Sequence, residues 1–293
     1  METLHAGHPV HRMPTILSAV MEWGATFPLE RPRRREPSRA SRIDSACGAV
    51  LNCANLDPSL FGRAANGELQ YPNHPFEVVP FGWNGGSGLS YGWAVLDEHQ
   101  DPSTYSCVSF APGDEGGARW LGDSTREALE NMMVGAERYW ELYEKDHMPS
   151  PVTKPNWASV CAAAGLAPRL DRTDISAGAR STRVIAPHVP SGYRFEPSPD
   201  GTGVLADASA FGDAPIEIDP AWYEDDHIAV ARQHLAAGRP AAALLVLKAT
   251  RAESPAWAPT VEAMRDAYLA LGRPFMASRA NYWLAHNDAG RAQ

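Results

Sequence analysis

The spacing of apolar residues changes character along this chain, and each change marks a different kind of element. Ile16, Leu17, Val20 and Met21 recur at helical intervals, and Pro14 suits a first-turn position where no backbone donor is needed, so a short amphipathic helix is predicted over 13–27. Apolar residues return at 46–51 and at Leu56, Leu60 and Phe61. From Phe76 the pattern shortens to strands. Phe76-Glu-Val-Val-Pro-Phe81, residues 89–96 and residues 104–110 are β-prone, with the turn-rich stretches 82–88 and 112–117 between them. Connections this short predict an antiparallel meander, with 118–121 as a brief fourth strand. Ser124-Thr-Arg-Glu127 then has the form of a capping box, and Leu129, Met132, Met133, Ala136, Tyr139, Trp140 and Tyr143 follow at helical spacing to about Asp146. That helix should lay its apolar stripe on the meander. Residues 157–165 read as a short helix ended by glycine, and 166–222 hold only strand fragments at 181–185, 192–195 and 203–206 among many Pro, Gly and Asp.

The last part of the chain repeats itself. Gly238 and Gly272 lie 34 residues apart, and the same offset pairs Arg239 with Arg273, Pro240 with Pro274, His234 with Tyr268, Val230 with Met264 and Ala243 with Ala277. A self-similarity of this period belongs to helix–turn–helix arrays, in which each unit buries its face on the next. Asp225 or Asp226 can cap a helix reaching Ala237, with 241–252 as its partner, and 260–271 and 275–286 repeat the design. Ala231, Gly238, Ala243, Leu247 and Pro255 in the first copy, with Tyr268, Gly272 and Ala277 in the second, resemble the tetratricopeptide pattern. Arg265 and Asn281 depart from it, standing where a small and a large apolar residue are customary.

A second resemblance covers residues 76 to about 145. Val79-Pro-Phe-Gly-Trp-Asn-Gly-Gly-Ser-Gly-Leu-Ser-Tyr-Gly-Trp93, Ser106-Cys-Val-Ser-Phe110, Trp120-Leu-Gly-Asp-Ser124 and the 125–145 helix are similar to part of the SUKH superfamily. The resemblance implies a bent antiparallel sheet flanked by helices. It also implies kinship with bacterial immunity proteins that bind and neutralise toxins, often nucleases or deaminases. The family's early Leu-Pro-x-x-Tyr signal is not recognisable in residues 1–75, where Glu30-Arg-Pro-Arg-Arg-Arg-Glu-Pro-Ser-Arg-Ala-Ser-Arg42 intervenes as an exposed connection.

Charge narrows the choice of partner. The net charge is −9, and residues 97–146 carry 12 Asp and Glu against 4 Lys and Arg. A chain this acidic is not a general nucleic-acid binder, whereas a basic protein could meet the acidic stretch. Four cysteines at 47, 53, 107 and 161 lack metal-type spacing. Without a secretory segment or an 18-residue apolar run the expectation is a cytoplasmic protein with no membrane association.

Motifs of catalytic chemistry are sparse in this sequence. His5-x-x-His8-x-x-His11 does not have one-helix-face spacing, and the 82–88 loop lacks the Lys-Ser/Thr of a phosphate loop. Asp225-Asp-His227 is explained by capping at a helix start. No catalytic residue, metal ligand or cofactor is therefore assigned. Trp83, Asn84, Tyr91, Trp93, Asp97 and Glu98 remain as candidate partner-binding residues, because aromatic anchors ringed by charge are what interfaces use. The alternative for the tryptophans is a core position for Trp93 and a sheet-edge position for Trp83.

The expected fold is α+β, a bent antiparallel sheet flanked by helices plus a C-terminal all-α hairpin repeat. The units are 1–148 with an Arg/Pro-rich insertion near 30–42, a connecting segment 149–222, and the repeats 223–293. The expected function is a non-catalytic protein-binding module, and the resemblance implies an immunity protein that captures a basic toxin domain. An enzyme with its site between the sheet unit and 166–222, and a peptide-gripping helical scaffold, are the alternatives.

Overall fold

The structure, a computed structural model, describes residues 15–26, 51, 55–56, 73–83, 89–111, 117–145, 157–176, 183–213, 215–216, 218, 224–253 and 258–287. It is α+β, as the patterning predicts. The first helix, α1 (Thr15–Ala25), precedes five strands: β1 (Asn55–Leu56), β2 (Val78–Trp83), β3 (Ser90–Ala94), β4 (Cys107–Phe110) and β5 (Arg119–Gly122). Each pairs antiparallel with the next, in the order β1-β2-β3-β4-β5. The meander therefore forms as expected.

Both faces of this sheet are covered. Phe81, Tyr91, Trp93, Cys107 and Trp120 share a core with Leu129, Met132 and Met133 of α2 (Thr125–Lys145) and with Leu17 and Val20 of α1. Val78, Ala94, Leu96, Val108 and Phe110 form a second core with Ile185 and Leu205, against which Tyr193 and Phe195 pack. The latter come from a hairpin of β6 (Tyr193–Glu196) and β7 (Val204–Asp207), where two of the expected strand fragments lie. Pro80 sits in an interior strand because the register shifts between Pro80 and Gly82, and a bulge tolerates a residue with no N–H. Gly92 is required by the close approach of β2, since a Cβ there would stand 2.5 Å from the Val79 carbonyl oxygen.

The capping box forms with one change. Ser124 Oγ accepts from Glu127 N at 3.2 Å, while the Glu127 carboxylate reaches back to Asp123 N at 2.9 Å. Helix α3 (Trp157–Ala164) packs on α1, and the chain after it is pinned to α2: Arg126 donates to Gly165 O, Arg138 to Arg172 O, and Ala167 N to Glu130 Oε1 at 2.9 Å.

The sequence repeat is a repeat of structure. Helices α4 (Glu224–Ala236) and α5 (Pro240–Glu253) form one hairpin, α6 (Ala258–Ala270) and α7 (Pro274–Asn287) the next. Gly238 and Gly272 both take φ +70°, a conformation that glycine adopts without steric cost at a helix end. The bonds around them match: Arg239 N to His234 O at 2.9 Å, and Arg273 N to Tyr268 O at 2.8 Å. Helix α5 packs on α4, α6 and β7, and 241–250 are buried throughout. One core cluster runs from Leu17 through Trp93 to Val246 and Trp283, crossing all three predicted units.

The two hairpins differ on one face. Ile228, Ala231, Leu244 and Leu247 are buried in the first. Their counterparts 34 residues on are Glu262, Arg265, Ser278 and Asn281, of which three are exposed and Arg265 is half-buried. The first set packs within the array; the second faces outward. A polar outer face is what the end of a helical array requires.

Candidate functional site

The predicted partner-binding residues do not form an exterior patch. Tyr91 and Trp93 are 0 % and 2 % exposed and belong to the core shared with α2. Trp93 stacks tilted on Phe81 with centroids 4.9 Å apart and donates Nε1 to Thr125 Oγ1 at 3.0 Å. This corrects the surface reading in favour of the core alternative. The reason is that β3 is an interior strand covered on both sides, so neither set of alternating side chains reaches water. Trp83 is half-buried at the end of β2, and Asn84 lies outside the described residues.

Asp97 and Glu98 do come together, but at an internal joint. Asp97 is 4 % exposed, and its Oδ1 accepts from His99 N at 3.0 Å. Glu98 caps the start of α7, its two oxygens accepting from Phe275 N at 3.0 Å and Met276 N at 3.2 Å. Burial pushes the Glu98 carboxyl up from its ordinary range, partly opposed by those two donors. His99 Nε2 donates to Gly272 O at 2.7 Å, so consecutive residues after β3 grip the turn between α6 and α7.

Seven carboxylates of the acidic stretch accept hydrogen bonds from the chain itself. Beyond Asp97 and Glu98, Asp101 accepts from Ser103 N, Asp123 from Trp120 Nε1, Glu127 from Asp123 N, Glu130 from Ala167 N and Glu137 from Trp157 Nε1. A carboxylate already holding a protein donor has less to offer a partner. Among the described residues, these seven carboxylates of the acidic stretch are therefore not a bare docking face.

The most concentrated chemistry lies where sheet, β6–β7 turn and helices meet. Lys248 Nζ stands 2.7 Å from Glu77 Oε1, 3.0 Å from Asp200 Oδ2 and 2.7 Å from Thr202 Oγ1. Its side chain is 0 % exposed, and those of Glu77 and Asp200 are 2 % and 14 % exposed. Tyr268 OH donates to Glu77 Oε1 at 2.6 Å. Asp200 Oδ1 accepts from Ser198 Oγ at 2.5 Å, Thr202 N at 3.0 Å and Thr202 Oγ1 at 2.8 Å. Burial raises the Asp200 carboxyl, but the Lys248 charge and these donors outweigh it and hold the group below its usual range.

Gly201 at φ +79° carries the turn hard against Ala118, leaving no room for a Cβ. Arg279 donates to Val78 O at 2.9 Å and Arg273 to Leu205 O, completing the joint.

Sequence reasoning missed these residues, although signals existed. Lys248 is the one charge in the apolar run 241–249, Glu77 stands alone among Phe76, Val78 and Val79, and Asp200 leads the turn Asp200-Gly-Thr-Gly203.

Elsewhere Trp120 is fully buried with two guanidinium groups over its ring, Arg183 3.7 Å and Arg172 5.3 Å from the centroid. Arg172 also pairs with Asp174 at 2.5 Å and Glu127 at 3.4 Å. Leu170 and Val184, close in sequence to Arg172 and Arg183, are exposed, as is Val189. Among the described residues no group of three or more His, Cys, Asp or Glu could hold a metal ion, and no helix is long and apolar enough to cross a membrane. His5, His8, His11, Cys47, Cys53 and the Arg-rich stretch 31–42 lie outside the described residues. No family model matches this chain, and no curated protein matches it either.

Proposed function

We propose that this chain is a non-catalytic protein-binding module, an immunity-type protein of SUKH character whose C-terminal hairpins are tetratricopeptide-like, and that it captures a basic toxin domain in the cytoplasm. The observation that carries the reading is the buried joint. Glu77 of the sheet unit, Asp200 of the β6–β7 turn, and Lys248 and Tyr268 of the hairpins are held together by hydrogen bonds of 2.6–3.0 Å. A joint of this kind makes one preorganised body, and preorganisation reduces the ordering cost of protein capture.

The meander closed by α2 supports the SUKH side of the reading, and the matched glycine turns at 238 and 272 support the tetratricopeptide side. With so many carboxylates engaged internally, affinity comes from shape and apolar contact, and the net charge of −9 acts at longer range to steer a basic partner.

The hairpins share the core, so deleting them would not leave a testable remainder. Surface substitutions separate the alternatives instead. A basic toxin domain captured by the purified chain is expected to lose affinity about tenfold or more on Val184→Glu, and to be little changed by Leu269→Glu on the exposed side of α6. The reverse ranking would favour the helical scaffold. A cofactor that copurifies in native mass spectrometry, or turnover of a small compound, would overturn the non-catalytic reading.

A further inference from the structure

We propose that Lys248 and Asp200 condense within the folded chain to a side-chain amide, an isopeptide cross-link for which Glu77 carries the protons. The three groups meet in a largely buried site, with Nζ 2.7 Å from Glu77 Oε1 and 3.0 Å from Asp200 Oδ2. Held at this range, two groups that would react only feebly in solution have a very high effective concentration. Burial of Lys248 and Glu77 then limits the water that could hydrolyse the amide.

The donors are arranged for attack on Asp200 rather than on Glu77. Oδ1 of Asp200 is held by Ser198 Oγ, Thr202 N and Thr202 Oγ1, an arrangement that stabilises charge developing on that oxygen. Oδ2 faces the lysine and is free to leave. Glu77 Oε2 is buried and has no hydrogen-bond partner among the described residues, so it can hold a proton in transit while Oε1 faces Nζ.

The chemistry balances without any co-reactant. One ammonium proton first passes by way of Glu77 to Oδ2 of Asp200, which frees the Nζ lone pair; that pair attacks Cγ of Asp200, and the Nζ–Cγ bond forms. The Cγ–Oδ2 bond breaks, and Oδ2 departs as water. Of the three ammonium protons, two leave on that water by way of Glu77, and the third remains on the amide nitrogen. Oδ1 becomes the amide oxygen and keeps its three donors. The buried ammonium and one of the two carboxylates are thereby removed as charges, relieving the desolvation that an ionic pair suffers in such a place. The product ties the β6–β7 turn covalently to α5.

The decisive experiment is the denatured intact mass of the purified full chain, followed by peptide mapping. The expected result is a mass lighter than the sequence sum by one water, with a branched peptide joining residues 200 and 248. Glu77→Gln, shown folded by circular dichroism, should return the mass to the sequence sum, and Lys248→Met should do the same. A wild-type mass equal to the sequence sum, with the peptides bearing Asp200 and Lys248 recovered separately, overturns the proposal and leaves an ion pair. A cross-link that persists in folded Glu77→Gln removes the role given to Glu77. If that variant fails to fold, the wild-type mass alone still decides.

Discussion

The two C-terminal hairpins share length, turn and hydrogen bonding, yet they are built for opposite surroundings. Each has a 13-residue helix followed by a 14-residue one, joined through a glycine at φ +70°. They part where a following hairpin would sit. Ile228, Ala231, Leu244 and Leu247 are buried in the first; Glu262, Arg265, Ser278 and Asn281 hold the same positions in the second and turn outward. The backbone program is thus repeated while the burial program is not. In a helical array, side chains at the stacking face decide whether a unit is interior or terminal. On that test the first hairpin is interior and the second is a cap.

Exchanging those side chains should produce the largest asymmetry. Leu247→Asn places an amide in a site that is fully buried, and it is expected to cost about 4 kcal/mol through lost packing and an unsatisfied polar group. The mirror change, Asn281→Leu, should leave stability within about 0.5 kcal/mol because the position is exposed. Combined with Arg265→Ala it would expose an apolar stripe, so its signature is self-association in sedimentation rather than a shift in unfolding midpoint. Equal losses from the two changes in urea unfolding would break the interior-versus-cap distinction.

That distinction also explains what was and was not legible in the sequence. The 34-residue repeat, the helices and the meander were readable because period and turn chemistry are local. Arg265 and Asn281 read as departures from a pattern, and only the packing shows that they mark an end. Tyr91 and Trp93 were placed on a surface because alternation cannot distinguish a strand covered on one face from one covered on both. The acidic count over 97–146 was correct, but no count shows that Glu98 caps α7 or that Glu137 receives Trp157 Nε1. Lys248, Glu77 and Asp200 were invisible as a set because their partnership spans three distant segments.

The next difference lies at equivalent positions of α5 and α7. Lys248 is enclosed with two carboxylates, whereas its counterpart Tyr282 is half-buried. Relative to the ionic, uncondensed joint, Lys248→Met removes the cation and leaves both carboxylates in place, which should cost about 3 kcal/mol. Tyr282→Phe should cost well under 1 kcal/mol. Adding Glu77→Gln to Lys248→Met is expected to recover part of the loss, since one stranded charge disappears. A double variant no better than the single one would show that the joint does not act as a unit.

A pH titration separates the hairpins more finely. His234 and Tyr268 are counterparts, and only the first titrates near neutrality. Burial, with a smaller push from the Arg239 charge, lowers the His234 pKa below its ordinary value. The folded state therefore prefers neutral imidazole. Stability is full above the unfolded value near 6.5 and declines as pH falls from there toward the lower folded value. His234→Tyr should flatten that part of the stability profile without changing it above about pH 7. An unchanged profile would remove His234 as the cause.

The smallest effects should fall on the two turns, and here the hairpins are expected to agree. At both Gly238 and Gly272 a Cβ would meet nothing within 4 Å, so alanine is opposed only by the positive φ. That cost is about 1 kcal/mol at either position. Gly272 differs in one respect: its carbonyl receives His99 Nε2 at 2.7 Å, which ties this turn to the chain after β3. If alanine shifts the turn enough to disturb that bond, Gly272→Ala should exceed Gly238→Ala, and His99→Ala should abolish the excess. Equal values in both backgrounds would mean that the turns obey local backbone energetics alone, and that the hairpins are distinguished entirely by the side chains on their stacking faces.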